Sequence, residues 1–302
     1  MDTLTAMRQL VRAVELGSLS AVARELGTTQ PTVSKTVAAL ERQLGARLLT
    51  RTTTNLLPTE AGKRFYERAR RVLEEYNEAV ADVRGQIERP EGHLRVNVPV
   101  SLGVLRLNAL MMEFMQLYPG IEVELIFNDR FVDLAEEAID VVLRLGSELP
   151  LDAVARRIAT SPRYFVAAPS LLAAAPEIRS PADVLAFPYL RFAWLAAGAS
   201  LLLTHIAGTT TSITPQGRYT VNSSLAIRES LLLSAGIGFA PAWLVGDLIE
   251  SGQLVRVLPE WHGQTHEAFL LYPQRRYQPL RARLLLEFLE QRVPFLPGFQ
   301  QL

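Results

Sequence analysis

Cysteine is absent from this chain of 302 residues. Its absence excludes disulfide bridges, thiolate metal sites and thiol-based redox switches. No apolar run reaches the roughly 18 to 20 residues that span a bilayer, because the most apolar stretch, residues 193–208, contains a histidine, glycines and hydroxyls. The first residues lack the basic region of a signal peptide. We therefore expect a cytoplasmic protein without a membrane segment.

The sequence also lacks common enzyme motifs. It contains no G-x-S-x-G elbow, no Walker A loop, no H-E-x-x-H helix and no G-x-G-x-x-G turn. His262 and His266 are four residues apart, but Gly263 argues against the helix that would align them on a metal. His93 and His205 have no evident partners in the sequence. We expect no catalytic residues, no metal and no cofactor.

The net charge is zero, but the charges are unevenly placed. Residues 1–70 contain eleven Lys and Arg against six Asp and Glu, a net charge of +5, which leaves −5 for the remainder. A local basic surface of this kind is typical of a DNA-binding segment. With 49% hydrophobic residues, the chain is long enough for two or three ordinary cores.

Three amphipathic helices are predicted in the basic part. The second begins after Ser18, a good N-cap residue, and ends at Gly27. The third opens with Gln30 and Pro31, because a missing N–H costs nothing in the first turn. The apolar positions that repeat every three or four residues in these two helices are Leu19, Val22, Ala23 and Leu26, then Val33, Val37, Leu40 and Leu44.

The polar face of the third helix carries hydrogen-bond donors and no acidic residue near its start. This pattern is typical of a recognition helix in the major groove, and the threonine-rich hairpin that follows would be a wing with Arg51 at its tip. The alternatives are a merely solvated face and ordinary β-forming threonines. The predicted DNA-binding residues are Ser18, Thr28, Thr29, Gln30, Pro31, Thr32, Ser34, Lys35, Arg51, Thr52 and Thr53.

One long helix is predicted next, from an N-cap at Thr59 to about Arg89. It would be on the order of 45 Å long. Its apolar residues alternate four and three apart, as in a two-helix coiled coil. The alternative is a helix packed on its own chain. The predicted dimerisation residues are Phe65, Ala69, Val72, Tyr76 and Val83.

From His93 onwards, strands alternate with helices, which indicates an α/β fold with largely parallel sheets. The last predicted helix runs from Pro279 to about Arg292. A crossover near residues 156–162 separates two halves of the fold. The predicted strands are residues 94–98, 121–127, 141–145, 164–168, 189–192, 218–221, 238–240 and 267–272.

Ligands of open α/β sheets bind beyond the carboxyl ends of strands, near helix N-termini that favour anions. We expect a small organic effector, aromatic or a carboxylate, held by Ser101 with Arg144 as counter-charge. Alternatively, Ser101 and Ser223 only cap helices, Pro99 only ends a strand, and Arg144 pairs with a carboxylate such as Asp140. The predicted effector-binding residues are Pro99, Val100, Ser101, Leu102, Asp129, Arg144, Gly146, Phe192, Asn222, Ser223 and Pro241.

Four motifs together resemble the LysR-type transcriptional regulators. They are Gly17-Ser-Leu-Ser-Ala-Val-Ala-Arg-Glu-Leu, Thr29-Gln-Pro-Thr-Val-Ser-Lys-Thr-Val-Ala-Ala-Leu-Glu, Leu44-Gly-Ala-Arg-Leu-Leu-Thr-Arg and Leu57-Pro-Thr-Glu-Ala-Gly. The chain departs from the family at Pro31, where many relatives carry serine or alanine, and at the run Thr52 to Thr54, where more arginine is usual. Both departures concern the preferred DNA sequence.

The resemblance covers nearly the whole chain and implies an α/β fold with an all-α N-terminal part. It implies a winged helix-turn-helix in residues 1–58, a linker helix in 59–89 and a periplasmic-binding-protein-like effector domain in 90–302. Subdomain I would span about 93–160 and 267–302, and subdomain II about 161–266.

The expected function is sequence-specific regulation of transcription, modulated by a small-molecule effector. The expected partners are double-stranded promoter DNA, the effector, RNA polymerase and further copies of the chain in a dimer or tetramer. The competing class is an α/β binding protein or hydrolase whose N-terminal helices serve only association.

Overall fold

A computed structural model describes residues 2–51, 56–83, 90–130, 134, 137–146, 149–150, 153–173, 175–193, 200–274 and 278–302. The chain divides into two compact units, Met1–Arg89 and Pro90–Leu302. Within these described ranges, no helix is both long enough and apolar enough to cross a membrane.

The first unit begins with helices α1 (Thr3–Leu16), α2 (Leu19–Glu25) and α3 (Gln30–Leu44). The side chain of Asp2 accepts the Leu4 N–H, and that of Ser18 accepts the Ala21 N–H, so each caps the helix that follows. The predicted starts of the second and third helices are confirmed.

The three helices share a core that includes Leu10, Val22 and Val33. Most of the predicted apolar positions are buried there. The prediction was wrong for Leu26 and Leu44, which are 39% and 43% exposed. Leu44 is the last residue of α3 and Leu26 follows the last residue of α2, so both lie at helix ends.

A short antiparallel hairpin follows, formed by β1 (Leu49–Arg51) and β2 (Leu56–Pro58). Leu49 and Leu56 pack on the helical core and are each 9% exposed. The predicted hairpin is confirmed. The predicted DNA-binding residues Thr52 and Thr53 lie outside the described residues, as does the side chain of Arg51.

Helix α4 spans Glu60–Val83. The hydroxyl of Thr59 accepts the Gly62 N–H at 2.9 Å and donates to the carbonyl oxygen of Arg47 at 2.7 Å. Thr59 therefore caps the helix, as predicted, and ties its start to the hairpin. The predicted continuation over residues 84–89, and the side chain of Val83, lie outside the described residues.

The first half of α4 packs on α1 of the same chain. Ala69 is 1% exposed and lies in a cluster with Val11 and Leu73, and Phe65 packs against that cluster. The prediction of Ala69 on the dimerisation seam is therefore corrected, because a second chain cannot reach a side chain that is already covered. Val72 and Tyr76, by contrast, are 42% and 46% exposed.

The second unit alternates strands and helices along its length. Its elements are β3 (Glu91–Val98), α5 (Val100–Leu102), a π-helical turn (Gly103–Leu107), α6 (Asn108–Leu117), β4 (Gly120–Phe127), β5 (Val141–Leu145), β6 (Ala153–Ser161), β7 (Arg163–Ala167), α7 (Pro169–Ala173), a 3-10 turn (Pro181–Ala186), β8 (Leu190–Phe192), β9 (Leu201–His205), β10 (Thr210–Ile213), β11 (Tyr219–Val221), α8 (Ser224–Leu232), β12 (Gly238–Pro241), α9 (Ala242–Glu250), β13 (Val255–Val257), β14 (Trp261–Gly263), β15 (His266–Pro273), α10 (Leu280–Arg292) and a final 3-10 turn (Val293–Phe295).

The main sheet has the strand order β4-β3-β5-β15-β6. Strand β3 runs parallel to β4 and β5, whereas β15 is antiparallel to β5 and β6. In the other half, β8 and β11 are parallel, but the sheets β12-β7-β13 and β10-β9-β14 are antiparallel. The prediction of largely parallel sheets was wrong, because β15 enters the main sheet antiparallel to both neighbours and two sheets of the other half are antiparallel.

The chain crosses between the two halves twice. The first crossing is Pro162, between β6 and β7, and the second leads into β15. At the first crossing, the hydroxyl of Ser161 donates to the Gly298 carbonyl at 2.6 Å and accepts the Trp243 N–H at 3.2 Å. Most of the predicted crossover at 156–162 is thus the end of strand β6, and two crossings give the expected clamp architecture.

Candidate DNA interface and effector cleft

The polar face of α3 is open at the start of the helix. Thr29 occupies the N-cap position but its side chain makes no cap hydrogen bond; its hydroxyl lies 2.8 Å from that of Thr32. The N–H groups of the first turn therefore remain without a side-chain cap, which suits a phosphate oxygen. Pro31, Thr32 and Lys35 are exposed, and Gln30 and Ser34 are half-buried.

Two of the predicted DNA-binding residues have local structural contacts. The Ser18 hydroxyl accepts the Ala21 N–H at 3.3 Å, so it caps α2. The backbone N–H of Thr28 donates to the Ala23 carbonyl at 2.9 Å and fixes the turn that leads into α3. Both contacts position the recognition helix.

Glu41 connects α3 to the hairpin. Its Oε1 accepts the N–H of Leu48 at 2.7 Å and that of Leu49 at 3.0 Å. A groove of about 830 Å³ lies beside this connection, and its lining includes Lys35, Arg42 and Arg47. The predicted set of DNA-binding residues omitted Arg42 and Arg47, although the basic composition of this segment was a signal for both.

In the first half of the second unit, three parallel strands end at one edge of the sheet: β3 at Val98, β4 at Phe127 and β5 at Leu145. The predicted residues that follow these ends therefore come together, as the rule for open sheets requires. His266 begins antiparallel β15 at the same edge, because its neighbour Ala268 pairs with Leu145.

The segment after β3 is buried. Ser101 is 2% exposed and Leu102 is fully covered in the core. The N–H of Val100 donates to Oδ1 of Asp129 at 3.0 Å, so this N–H already has an acceptor within the protein. The Ser101 hydroxyl, however, makes no hydrogen bond to any residue that the structure describes.

Arg144 is 6% exposed and supports the loop after β4. It donates to the carbonyl oxygens of Arg130 at 2.9 Å and of Asp129 at 2.8 Å. Burial lowers the pKa of Arg144, and the nearby charge of Asp129 opposes that change. Part of the guanidinium is thus committed to the protein's own backbone. Gly146 follows with φ of 104°, a conformation that favours glycine.

In the second half, β8, β11 and β12 end at Phe192, Val221 and Pro241. Strand β8 is parallel to β11, and Tyr189 bridges Ile237 in parallel, so these three ends share an edge. The predicted residues Phe192, Asn222, Ser223 and Pro241 lie there. Ser223 caps α8 through the Ala226 N–H, Asn222 is exposed and Phe192 packs on the core.

Arg163 lies at this edge and was not considered in the sequence analysis. It is the Cα partner of Pro241 in the pairing of β7 with β12, and so it lies at the same edge. It begins a strand that runs antiparallel to its neighbours, whereas the prediction considered only residues that follow strands.

The histidines form local pairs. Trp243 Nε1 donates to His266 Nδ1 at 3.3 Å; burial, with a contribution from Arg163, lowers the pKa of His266 to about 3. His205 lies 3.1 Å from Glu260, and His93 lies 3.7 Å from Glu124, so both have partners that the sequence did not reveal. No cluster of potential metal ligands occurs in the described part of the chain.

Known protein families match both units. The family described as "Bacterial regulatory helix-turn-helix protein, lysR family" matches residues 4–63. The family described as "LysR substrate binding domain" matches residues 88–294.

Individual relatives agree with these matches. The chain is 31% identical over 294 residues to the HTH-type transcriptional regulator PtxR of Pseudomonas aeruginosa, covering 94% of this chain and 92% of that protein. The structure of CrgA, a LysR-type transcriptional regulator from Neisseria meningitidis, is similar with a TM-score of 0.61 and 28% identity, covering 95% of this chain and 97% of CrgA. Full-length AphB of Vibrio cholerae is similar with a TM-score of 0.59 and 26% identity, covering 94% and 97%.

These matches define a class of regulator with a DNA-binding helix-turn-helix and an effector-binding domain. The chain belongs to the LysR family of transcriptional regulators.

Proposed function

We propose that the first turn of α3 enters the major groove of double-stranded promoter DNA. The uncapped start of this helix, beside a groove lined by three cations, is the observation that supports the proposal. Gln30 and Ser34 would read base edges, whereas Lys35, Arg42 and Arg47 would contact phosphates. Thr28, Thr29 and Thr32 would orient the helix on the backbone, with Arg51 to Thr53 as the wing.

The proposed domain boundaries follow from this assignment. Residues 1–58 form the winged helix-turn-helix, 59–89 the linker helix and 90–302 the effector-binding domain. Subdomain I takes 93–160 and 267–302, and subdomain II takes 161–266.

The exposed apolar residues of α4 support dimerisation. Val72 and Tyr76 stand on a helix whose other exposed residues are mainly polar, and pairing with a second copy would bury them. Two copies place two recognition elements on two half-sites. Pairing of dimers into tetramers would bend the DNA between them. The regulator would act in the cytoplasm, with RNA polymerase as a further partner.

The effector site is proposed where the two sheet edges meet the crossings of the chain. Ser101 is 2% exposed, and its hydroxyl has no hydrogen-bond partner among the described residues, so the hydroxyl is available to a ligand at this edge. Pro99, Val100, Asp129, Gly146 and Arg144 would form one wall. Phe192, Asn222, Ser223 and Pro241 would form the other.

Selection of random duplexes by the purified protein at about 0.1 M salt, followed by footprinting, tests the DNA assignment. Recovery of an inverted repeat is expected. Gln30→Ala should change the preferred sequence, because a base contact carries specificity. The matched control, Gln43→Ala, makes the same chemical change near the other end of α3 and should leave the preference unchanged.

Retention of no duplex, or equal retention of all duplexes, would support the competing class of α/β binding protein.

The proposed effector-binding residues have a separate test. Ser101→Phe should abolish the change in footprint that an effector produces while leaving the footprint without effector intact. An unchanged response would remove Ser101 from the site.

A further inference from the structure

Lys35 and Lys63 are the two lysines of this sequence, and every other residue among its 31 cations is an arginine. Both lysines lie in the first unit, which carries the helix-turn-helix. A lysine amine can be acylated with loss of its charge, whereas an arginine guanidinium keeps its charge at any physiological pH. Modification of this kind is therefore confined to the neighbourhood of the proposed DNA interface.

Lys35 lies on the exposed face of α3, and its ammonium forms no hydrogen bond or ion pair with any residue that the structure describes. It lines the groove of about 830 Å³ beside the hairpin, together with Arg42 and Arg47. Lys35 and Arg42 are about two turns of helix apart and so share one face of α3. The groove thus combines an available amine with two guanidinium groups.

The groove has a surplus of positive charge. Its lining contains three cations and one carboxylate, Glu41, whose Oε1 already accepts the N–H groups of Leu48 and Leu49. Neither Arg42 nor Arg47 has a carboxylate partner among the described residues. A concave surface with excess positive charge raises the local concentration of small anions. The groove should therefore bring an anionic acyl donor close to Lys35.

Lys63 has different surroundings. Its Nζ lies 2.7 Å from Oε1 of Glu60, one turn earlier on α4, and it is not part of the groove. The carboxylate repels an anionic donor. Exposure does not separate the two lysines, because the side chain of Lys63 is 60% exposed. A difference in their reactivity would therefore report on the groove.

We propose that Lys35 is acylated by acyl phosphates such as acetyl phosphate. The guanidinium groups of Arg42 and Arg47 attract the phosphate of the donor. The deprotonated Nζ of Lys35 attacks the acyl carbon and forms an amide bond. The bond from that carbon to the phosphate oxygen breaks, inorganic phosphate leaves with the electron pair, and the proton of the amine passes to water. The product has one positive charge fewer on the polar face of α3.

The effect on DNA binding rests on the proposed function, in which Lys35 contacts a DNA phosphate. An amide does not neutralise a phosphate, so acetylation should weaken binding to every sequence without changing the preferred one. The affinity should fall about ten-fold or more, because a hydrogen bond to a charged group is lost. The slope of log affinity against log salt should become shallower by about one for each modified helix.

The first experiment incubates the full-length protein with acetyl phosphate near neutral pH and follows each lysine by peptide mass spectrometry. Lys35 should react several-fold faster than Lys63. In urea-denatured protein the two rates should be similar, because the groove is lost. The double change of Arg42→Gln and Arg47→Gln should slow the reaction of Lys35. Arg24→Gln is the matched control, because Arg24 is an exposed cation of α2 that does not line the groove.

Three variants connect the modification to DNA binding. Lys35→Arg cannot be acetylated, so its affinity for a selected duplex should equal its own untreated value after incubation with acetyl phosphate. Lys63→Arg should lose affinity on treatment as the native protein does. Lys35→Gln carries a neutral amide and should reproduce the lower affinity and the shallower salt slope of the acetylated protein. Far-UV circular dichroism like that of the native protein shows that each variant folds.

The outcomes distinguish this proposal from the proposed function. Equal rates for Lys35 and Lys63 in the folded protein would overturn the assignment of the site. Acetylated Lys35 with unchanged DNA affinity would overturn its regulatory role, and so would an equal loss of affinity by native protein and Lys35→Arg. Failure of the untreated native protein to select any duplex would instead contradict the proposed function, while the rates at the two lysines would still test the site.

Discussion

Arg106 and Asp247 are 141 residues apart in sequence, yet Nη2 of Arg106 lies 3.1 Å from Oδ1 of Asp247. Nε of Arg106 also donates to the Trp243 carbonyl at 3.1 Å. Arg228 donates to both carboxylate oxygens of Asp247, at 2.9 and 2.5 Å. One carboxylate thus joins the π-helical turn after α5 to α8 and α9. Because Ser101 lies in α5, these ion pairs connect the proposed effector wall to the other half of the domain.

We expect Asp247→Asn to destabilise the protein. The change leaves Arg106 and Arg228, whose side chains are 13% and 11% exposed, without their carboxylate. Breaking a buried ion pair costs about 3–5 kcal/mol, but Asp247 is 43% exposed, so a loss of about 2 kcal/mol is expected. Urea denaturation at pH 7 measures it. The control is Glu250→Gln, an exposed carboxylate of the same helix, and an equal loss there would contradict the argument.

The contribution of Asp247 should also depend on pH. The hydrogen bond from Arg228, and the charges of Arg228 and Arg106, lower the pKa of Asp247. Stability from a depressed carboxyl pKa is present above the unfolded value of about 3.9 and is lost as the pH falls through the folded value. The difference in unfolding free energy between native protein and Asp247→Asn should therefore shrink below about pH 4. A constant difference down to pH 3 would exclude the charge as its cause.

Glu41→Ala should loosen the hairpin. The substitution leaves the N–H groups of Leu48 and Leu49 without their acceptor, which costs about 1–3 kcal/mol if water does not replace it. DNA affinity should fall with stability, because the hairpin is no longer held against α3. Glu60→Ala is the matched control: Glu60 is exposed and pairs only with Lys63 among the described residues. Its effect on the free energy of unfolding should be much smaller than that of Glu41→Ala, because an exposed ion pair contributes little.

Local features of the chain could be predicted well from the sequence. The caps at Ser18 and Thr59 depend on residues one turn away, and both were located. Strand β5 was placed correctly as a short buried run. Burial of Ala69 on α1 was not predicted, because a heptad pattern gives the apolar face of a helix but not the segment that covers it. The antiparallel return of β15 was missed for the same reason: strand direction depends on distant pairing.

The proposed effector site shows the same division. Residues such as Ser101 and Asn222 follow parallel strands, and a general rule of open sheets locates them from the strand pattern alone. Arg163 is the first residue of β7, so a rule restricted to residues that follow strands does not include it. The link from Arg106 to Asp247 joins segments 141 residues apart and has no local signal. Contacts of this kind follow only from the three-dimensional arrangement.

His266 should make stability fall as the solution is acidified. Its folded pKa of about 3 lies below the ordinary value of 6.5. Between these two pH values, His266 binds a proton in the unfolded chain but not in the folded protein. Its contribution to the free energy of unfolding is therefore fully present above about pH 6.5 and is lost as the pH falls toward 3. Its slope is at most about 1.4 kcal/mol per pH unit. Urea denaturation between pH 7 and 4 should show a shallower slope for His266→Gln, and the native slope for the exposed control His262→Gln.

Gly62 and Gly246 lie in helices, yet alanine should have opposite effects at the two positions. A Cβ at Gly62 would lie 1.9 Å from the Leu48 carbonyl oxygen, whereas a Cβ at Gly246 has no atom within 4 Å. Gly62→Ala should cost about 1–3 kcal/mol or more, because backbone must move. Gly246→Ala should add about 0.5–1 kcal/mol from helix propensity. Thermal and urea unfolding compare the two variants. A stabilising Gly62→Ala would contradict the argument, because it would mean that the start of α4 does not approach the Leu48 carbonyl this closely.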